Sequence, residues 1–237
     1  MTLVNFEHWF IPDLKDKTGN SLAFDYPTSK VLCVGRNYIE HAKELNNPVP
    51  ETPLFFLKPN SNLCELGETL VLPKLPSNCH YETELALLIG ETIERNSAPE
   101  PGEKIAGVGL ALDLTLRDLQ QELKAAGKPW EKSKAFDLSC PVTSFQKVEP
   151  TLDFNRLEFE LSINQNLVQK ASPQQMIFSI RQLLEAASQF FTLYPGDILL
   201  TGTPAGVGEL QEADKLNLRL VNDEWQSLVS YEESQHG

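Results

Sequence analysis

Short apolar runs recur along the chain: KVLCVG, PLFFLKP, TELALLIG, AGVGLALDLT, LEFELSIN and GDILLTG, then KLNLRLVN and QSLVSYEE with Asn222-Asp223 marking a turn between them. Runs of this length bounded by Gly, Pro or Asn predict strands. TELALLIG has no polar alternation, which predicts a strand covered on both faces. Three segments carry helical signals instead. NYIEHAKEL is short. RDLQQELKAAG follows Thr115, whose hydroxyl is placed to cap a helix with Asp118 three residues on, and it ends at Gly127 with Pro129 beyond. SPQQMIFSIRQLLEAASQFFTL repeats apolar residues at helical spacing and stops before Tyr194-Pro195-Gly196, so Met176, Phe178, Leu183 and Leu184 are expected in the core. Many strands with isolated helices predict a strand-rich α+β fold with a rolled or sandwiched sheet.

At 237 residues, 41% hydrophobic and 22% charged, the chain can build a core without covalent staples. Cys33, Cys64, Cys79 and Cys140 are spread without a C-x-x-C pair, which predicts reduced, buried thiols. The net charge of -13 excludes a nucleic-acid or anionic-membrane surface, because both would be repelled at long range. A small substrate is expected, and an anionic one needs local positive charge. Glu7, Asp13 and Asp16 near the start argue against a secretory leader, and no run reaches the ~18 apolar residues of a membrane span. The expected location is the cytoplasm.

The most informative stretch is CHYETELALLIG. Residues two apart on a strand point to the same side, so Glu82 and Glu84 are forced together beside an apolar run. At ~4 Å and an effective dielectric of 20 their repulsion is about 4 kcal/mol, and something must neutralise it. Asp113 ends a second run without polar relief. Three carboxylates on buried strands suit a hard divalent cation such as Mg²⁺ or Mn²⁺. His80 shares the parity of the two glutamates, which leaves open a histidine-containing zinc or iron site; a supporting role beside the ligands is the commoner use.

Other residues offer chemistry. His41 and Glu44 lie three apart on the first helix, where the carboxylate can orient the imidazole as a general base. Arg117 and Gln120 share a face of the second helix just past Asp113. Lys132 and Lys134 are both candidates for the missing positive charge. GDILLTGTPAGVG runs into a glycine-rich turn that lacks the signatures of nucleotide-binding loops but can aim Thr203 and backbone N–H groups at a carboxylate or enolate oxygen.

Taken in order, VGRNYIEHAKEL, LFFLKP, HYETELALLIG, GLALDLTLRDLQ, KAFDLSCP and GDILLTGTPAGVG resemble the fumarylacetoacetate hydrolase (FAH) superfamily, in its single-domain branch of acylpyruvate hydrolases and oxaloacetate decarboxylases. The resemblance runs from about residue 30 nearly to the end, leaving 1–29 as a lead-in before a catalytic domain over 30–237. It implies a mixed β-sandwich roll, generally homodimeric. It places Mg²⁺ or Mn²⁺ on Glu82, Glu84 and Asp113, the catalytic dyad on His41 and Glu44, and the active-site lysine on Lys134, with Lys132 peripheral. Substrate contacts fall on Arg117, Gln120 and Thr203, and on Arg36 beside the dyad. The implied activity is metal-dependent carbon–carbon hydrolysis of acylpyruvates to pyruvate and a carboxylic acid. Alternatives on the same site are oxaloacetate decarboxylation or tautomerisation, or isomerisation or decarboxylation of an aromatic-degradation intermediate of the 5-carboxymethyl-2-hydroxymuconate type. A reading of another class is a non-catalytic protein whose ion only ties strands together.

Overall fold

The structure, a computed structural model, describes residues 9–45 and 48–232. The start of the lead-in, including Glu7, lies outside the described residues. The largest sheet has the order β1 (Leu14–Lys15), β11 (Phe145–Lys147), β8 (Ile105–Leu112), β7 (Thr83–Ile89), β14 (Ile198–Leu200), β2 (Lys30–Val34) and β3 (Phe55–Pro59); β10 (Cys140–Val142) joins β8 and also pairs with β4 (Leu63–Glu65). A second sheet runs β13 (Asn166–Ala171), β12 (Phe159–Ile163), β16 (Lys215–Leu220), β17 (Asp223–Tyr231) and β5 (Thr69–Leu72). A small third one joins β15 (Gly208–Glu209), β6 (Cys79–Tyr81) and β9 (Thr115–Leu116). The fold is a strand-rich α+β arrangement of several mixed sheets. Leu14–Lys15, inside the expected lead-in, pairs in parallel with β11.

β7 explains itself at the level of side chains. Every residue in it is buried. Leu85, Leu87 and Ile89 enter a core shared with Leu161 and Leu218 of the second sheet. The alternate residues Ala86 and Leu88 enter a separate core with Val31, Phe145 and Ile198. From Leu85 to Ile89 both faces are dry, which is why that run shows no alternation. Each buried leucine contributes roughly 1.5–3 kcal/mol of transfer free energy.

The helices are α1 (Ile39–Glu44), α2 (Pro101–Lys104), α3 (Arg117–Ala125), α4 (Glu131–Lys134) and α5 (Ile180–Ser188). Three sequence expectations need correction here. Thr115 does not cap α3; Leu116 occupies that position with no side-chain cap. Thr115 is instead drawn into β9 opposite His80, and its hydroxyl donates to the Asp113 carbonyl. The long third helix shrinks to Ile180–Ser188, because Ser179 and Gln182 form a capping box there and the chain before it is a 3-10 turn at Pro173–Gln175. Leu183 and Leu184 do pack in the core, with Met176 and Phe178 against it. The β16–β17 hairpin also turns one residue earlier than expected: Leu220 pairs with Asp223, so Val221 and Asn222 form the loop, Val221 at φ +55. The end of α3 agrees with the reading, since Gly127 has φ +61 just past the C-cap. Among the described residues no helix is long and apolar enough to cross a membrane.

Candidate active site

Strand register builds the site. β7 and β8 are antiparallel with Thr83 opposite Leu112, so the next residues outward, Glu82 and Asp113, face each other, and the Asp113 N–H donates to the Glu82 carbonyl at 2.8 Å. β14 lies against β7 with Leu200 opposite Ala86, which brings Gly202 level with Glu84, and the Gly202 N–H donates to the Glu84 carboxylate at 2.6 Å. β2 runs parallel to β14, so the chain leaving β2 enters the same end of the sheet and starts α1 there. Asn37 anchors that start: its side chain donates to the carbonyls of Phe178 and Thr201 and accepts from the Phe178 N–H.

The three carboxylates are buried and offer oxygen atoms within 4.8 Å of one another. Three buried cations answer them. Lys134 donates to Glu82 at 2.8 Å, to Asp113 at 2.6 Å and to the Thr115 hydroxyl at 2.7 Å. Arg117 pairs with the other Glu82 oxygen and donates to Gln120 at 2.8 Å. Lys58 reaches the second Asp113 oxygen at 2.9 Å and also lies within reach of the carbonyls of Leu114, Lys134 and Ser139.

The acids are not equivalent. Burial alone would raise the Glu82 carboxyl, but Lys134 and Arg117 outweigh it and hold Glu82 below the ordinary carboxylate range. Burial, then the charges of Asp113 and Glu82, push Glu84 well above that range. Burial would lower Lys134, yet Asp113 and Glu82 more than reverse this and keep it an ammonium ion. Glu84 is therefore the carboxylate that most lacks a cation. An all-oxygen set of this kind, with no thiolate or imidazole in it, suits Mg²⁺ or Mn²⁺. His80 is not among the grouped donors.

His41 is buried on α1 with Nδ1 3.4 Å from Glu44. Burial holds its imidazole below the ordinary histidine range, although Glu82 and Glu44 pull the other way. Glu44 is fixed from its far side by the Gly206 N–H at 3.0 Å. A cavity of about 40 Å³ brings these groups together, lined by Arg36, His41, Glu82, Glu84, Arg117, Gln120, Lys134 and Thr203, among others. Asp113, buried, and Glu44, exposed, are not part of this lining. Lys132 is exposed, as expected of a peripheral residue.

The glycine-rich turn works differently from the expectation. Its N–H groups at Gly202 and Gly206 hold the protein's own Glu84 and Glu44. The Thr203 hydroxyl donates to the Thr83 carbonyl and accepts from Gln169, so its proton is committed within the protein. Lys58 was not singled out from sequence, although it stands in LFFLKP. A lysine inside an apolar run was the available signal. Its partners lie 55 to 81 residues away, which no local pattern reveals.

The chain is similar to known proteins along most of its length. Residues 30–229 match the fumarylacetoacetate (FAA) hydrolase C-terminal family. The chain is 48% identical to the oxaloacetate tautomerase YcgM of Escherichia coli K12 over 82% of this chain and 89% of that protein. It is 39% identical to the mitochondrial oxaloacetate tautomerase FAHD1 of Bos taurus over 78% of this chain and 84% of that one. The crystal structure of fumarylpyruvate hydrolase from Pseudomonas aeruginosa, in complex with Mn²⁺ and pyruvate, superimposes with a TM-score of 0.84 at 31% identity, covering 98% of this chain and 100% of that one. With its buried acidic triad, its cation cage and this extent of similarity, the chain belongs to the fumarylacetoacetate hydrolase family.

Proposed function

We propose that the protein is a divalent-metal-dependent enzyme that interconverts the keto and enol forms of oxaloacetate-type 2-oxo acids. The observation that carries this is a neutral, buried His41, oriented by Glu44, in one cavity with the Glu82, Glu84 and Asp113 cluster. The relatives at 48% and 39% identity bear oxaloacetate tautomerase names, which favours enolisation over the hydrolysis that the motifs alone put first.

Glu82, Glu84 and Asp113 would hold Mg²⁺ or Mn²⁺, which when bound supplies Lewis-acid polarisation of a 2-oxo group. Arg117, Gln120 and Lys134 orient the substrate carboxylate. With Nδ1–H directed at Glu44, His41 presents the Nε2 lone pair as the base for a proton on the carbon next to the 2-oxo group. Glu44 stabilises the imidazolium that forms. Lys134, whose N–H groups go to Glu82, Asp113 and Thr115, contributes positive charge beside the oxygen that gains negative charge. His41 then delivers that proton to the enolate oxygen, which completes the keto-to-enol conversion, and the enol-to-keto direction runs the same two transfers in reverse. Three carboxylates balanced by Lys58, Lys134 and Arg117 leave a divalent ion's charge in excess, which an anionic substrate offsets.

The test follows the decay of enol-oxaloacetate absorbance with purified protein and Mg²⁺, with and without chelator. Metal-dependent acceleration is expected; decay at the uncatalysed rate would sink the reading. A second reading, hydrolysis of acylpyruvates, is favoured by a largely apolar hollow of about 250 Å³ that shares Phe56, Trp130 and Lys134 with the cavity and adds Leu54, Phe55 and Leu57. Such a hollow suits an acyl tail. Pyruvate release from acetylpyruvate tests it.

A further inference from the structure

Gln169 carries no titratable group, yet it is only 1% exposed on β13, an edge strand of the second sheet. Its side chain crosses to the active site. Oε1 accepts from the Thr83 N–H at 3.0 Å, and Nε2 donates to the Thr203 hydroxyl at 2.9 Å and to the Pro204 carbonyl at 3.0 Å. Only one orientation of the amide serves these partners, because a backbone N–H only donates and a carbonyl only accepts. The Thr203 hydroxyl in turn donates to the Thr83 carbonyl, so Thr83, Gln169 and Thr203 form a closed ring of hydrogen bonds. Thr83 stands between Glu82 and Glu84. Thr203 and Pro204 form the middle of the turn whose N–H groups at Gly202 and Gly206 hold Glu84 and Glu44.

The strand is shaped for this reach. In the β12–β13 ladder Leu161 pairs with Gln169 and Ser162 with Leu167, which leaves Val168 as an unpaired extra residue. Bulges of this kind re-aim side chains at sheet edges and beside active sites. The Val168 carbonyl lies against the same turn: a Cβ at Gly206, whose φ is +99, would collide with that oxygen. Adjacent residues of one bulged strand therefore meet the turn by packing at Gly206 and by hydrogen bonds at Thr203 and Pro204.

We infer that Gln169 is a positioning residue that sets the spacing between the carboxylate cluster and the His41–Glu44 dyad. It acts through the Thr83 N–H on the strand end that carries Glu82 and Glu84, and through Thr203 and Pro204 on the turn that holds Glu84 and Glu44. This rests on the reading of the cluster as a divalent-metal site and of His41 as the base. An ion and a base that engage one substrate must be held at a fixed separation, and a misplacement of about 1 Å costs on the order of 10²-fold in rate. Gln169 ties turn to strand through backbone groups and a hydroxyl, so the tie stays in place when Glu84 loses its proton to take up an ion. Its partners lie 86 and 34 residues away, which hides the role from any local pattern.

Gln169→Met keeps the volume and removes the three bonds. In the full-length protein it is expected to weaken Mn²⁺ binding, read by calorimetry, by roughly tenfold, the scale of a buried hydrogen-bonding group left unpaired. The electron paramagnetic resonance spectrum of bound Mn²⁺ should change with it, and kcat for enol-oxaloacetate should fall by more than KM changes. A double-mutant cycle separates positioning from support. Because Gln169 acts on the dyad through Glu44, Gln169→Met should cost less in kcat on a Glu44→Gln background than in the wild type. Gln169→Asn keeps the amide but is a methylene too short to span strand and turn; it should shift the same quantities the same way, and it carries the test where the Met variant does not fold. Leu220→Ala, in the core two strands along the same sheet, should lower the melting temperature and leave Mn²⁺ affinity and kcat unchanged. Unchanged Mn²⁺ affinity and kcat in the Gln169 variants, equal losses in Leu220→Ala, or full additivity with Glu44→Gln overturns the positioning role. Absence of Mn²⁺ binding or of metal-dependent conversion in the wild type overturns the functional reading itself.

Discussion

Lys58 places its ammonium 2.9 Å from Asp113 with both side chains withdrawn from water. An ammonium ion in that position needs acceptors on every side, and the carbonyls of Leu114, Lys134 and Ser139 with the Ser139 hydroxyl supply them. Lys58 therefore links β3 to the segment carrying Asp113 and to the end of α4, and holds Lys134 indirectly.

Replacing Lys58 by Met keeps the volume and removes the charge. Without metal the variant is expected to lose about 3–5 kcal/mol, because Asp113 becomes a buried charge with one partner fewer. Loss of a competing cation should at the same time raise affinity for Mg²⁺, so added Mg²⁺ recovers more stability than in the wild type. Denaturant unfolding with and without Mg²⁺ checks both effects; equal Mg²⁺ stabilisation of the two proteins contradicts this account.

Glu84 makes metal binding a proton-linked event. Its folded-state pKa is raised, so the folded protein without metal is favoured while Glu84 stays protonated and loses that advantage as pH rises from the ordinary value of 4.5 toward the raised one. A divalent ion needs the carboxylate, so binding releases this proton. Mg²⁺ affinity is expected to rise with pH above the ordinary carboxylate range, and Glu84→Gln to weaken binding and flatten that dependence. Calorimetry in buffers of different ionisation enthalpy measures the proton release directly.

Gly202 has little backbone freedom. Its φ is +93, and a Cβ there would meet the Asn37 Cβ at 2.7 Å. Gly202→Ala is expected to cost roughly 1–3 kcal/mol from the strained conformation alone, and to move the N–H off Glu84. Thermal unfolding and Mg²⁺ titration should both worsen; an unchanged melting temperature speaks against the close approach.

His41→Ala should slow turnover roughly 10²–10⁴-fold, the usual worth of a general base, while Mg²⁺ binding persists. Because burial lowers the His41 pKa, the acid limb of the wild-type kcat/KM profile is expected below the ordinary 6.5. Glu44 raises that pKa, so Glu44→Gln should reduce activity and move the limb to still lower pH. A limb that moves upward instead assigns the ionisation to another group.

The legible part of the site is its local geometry. Glu82 and Glu84 follow from a two-residue strand period, and His41 with Glu44, like Arg117 with Gln120, from a helical spacing of three. The reading of Thr115 as a helix cap failed for the complementary reason: its local signal was real, but pairing of β9 with β6 drew the residue into a strand and turned its hydroxyl toward the Asp113 carbonyl and Lys134.

The sequence by itself determined that three carboxylates would sit on or directly beside two apolar strands, because alternation and hydrophobic runs depend only on neighbours along the chain. Tertiary structure alone decided which cations neutralise them, since Lys58, Lys134 and Arg117 reach Asp113 and Glu82 from β3, α4 and α3. It also decided that the glycine-rich turn grips Glu84 and Glu44, because only strand order places β14 between β7 and β2. Charge balance in a buried site is a sum over space, and the chain's order does not contain it.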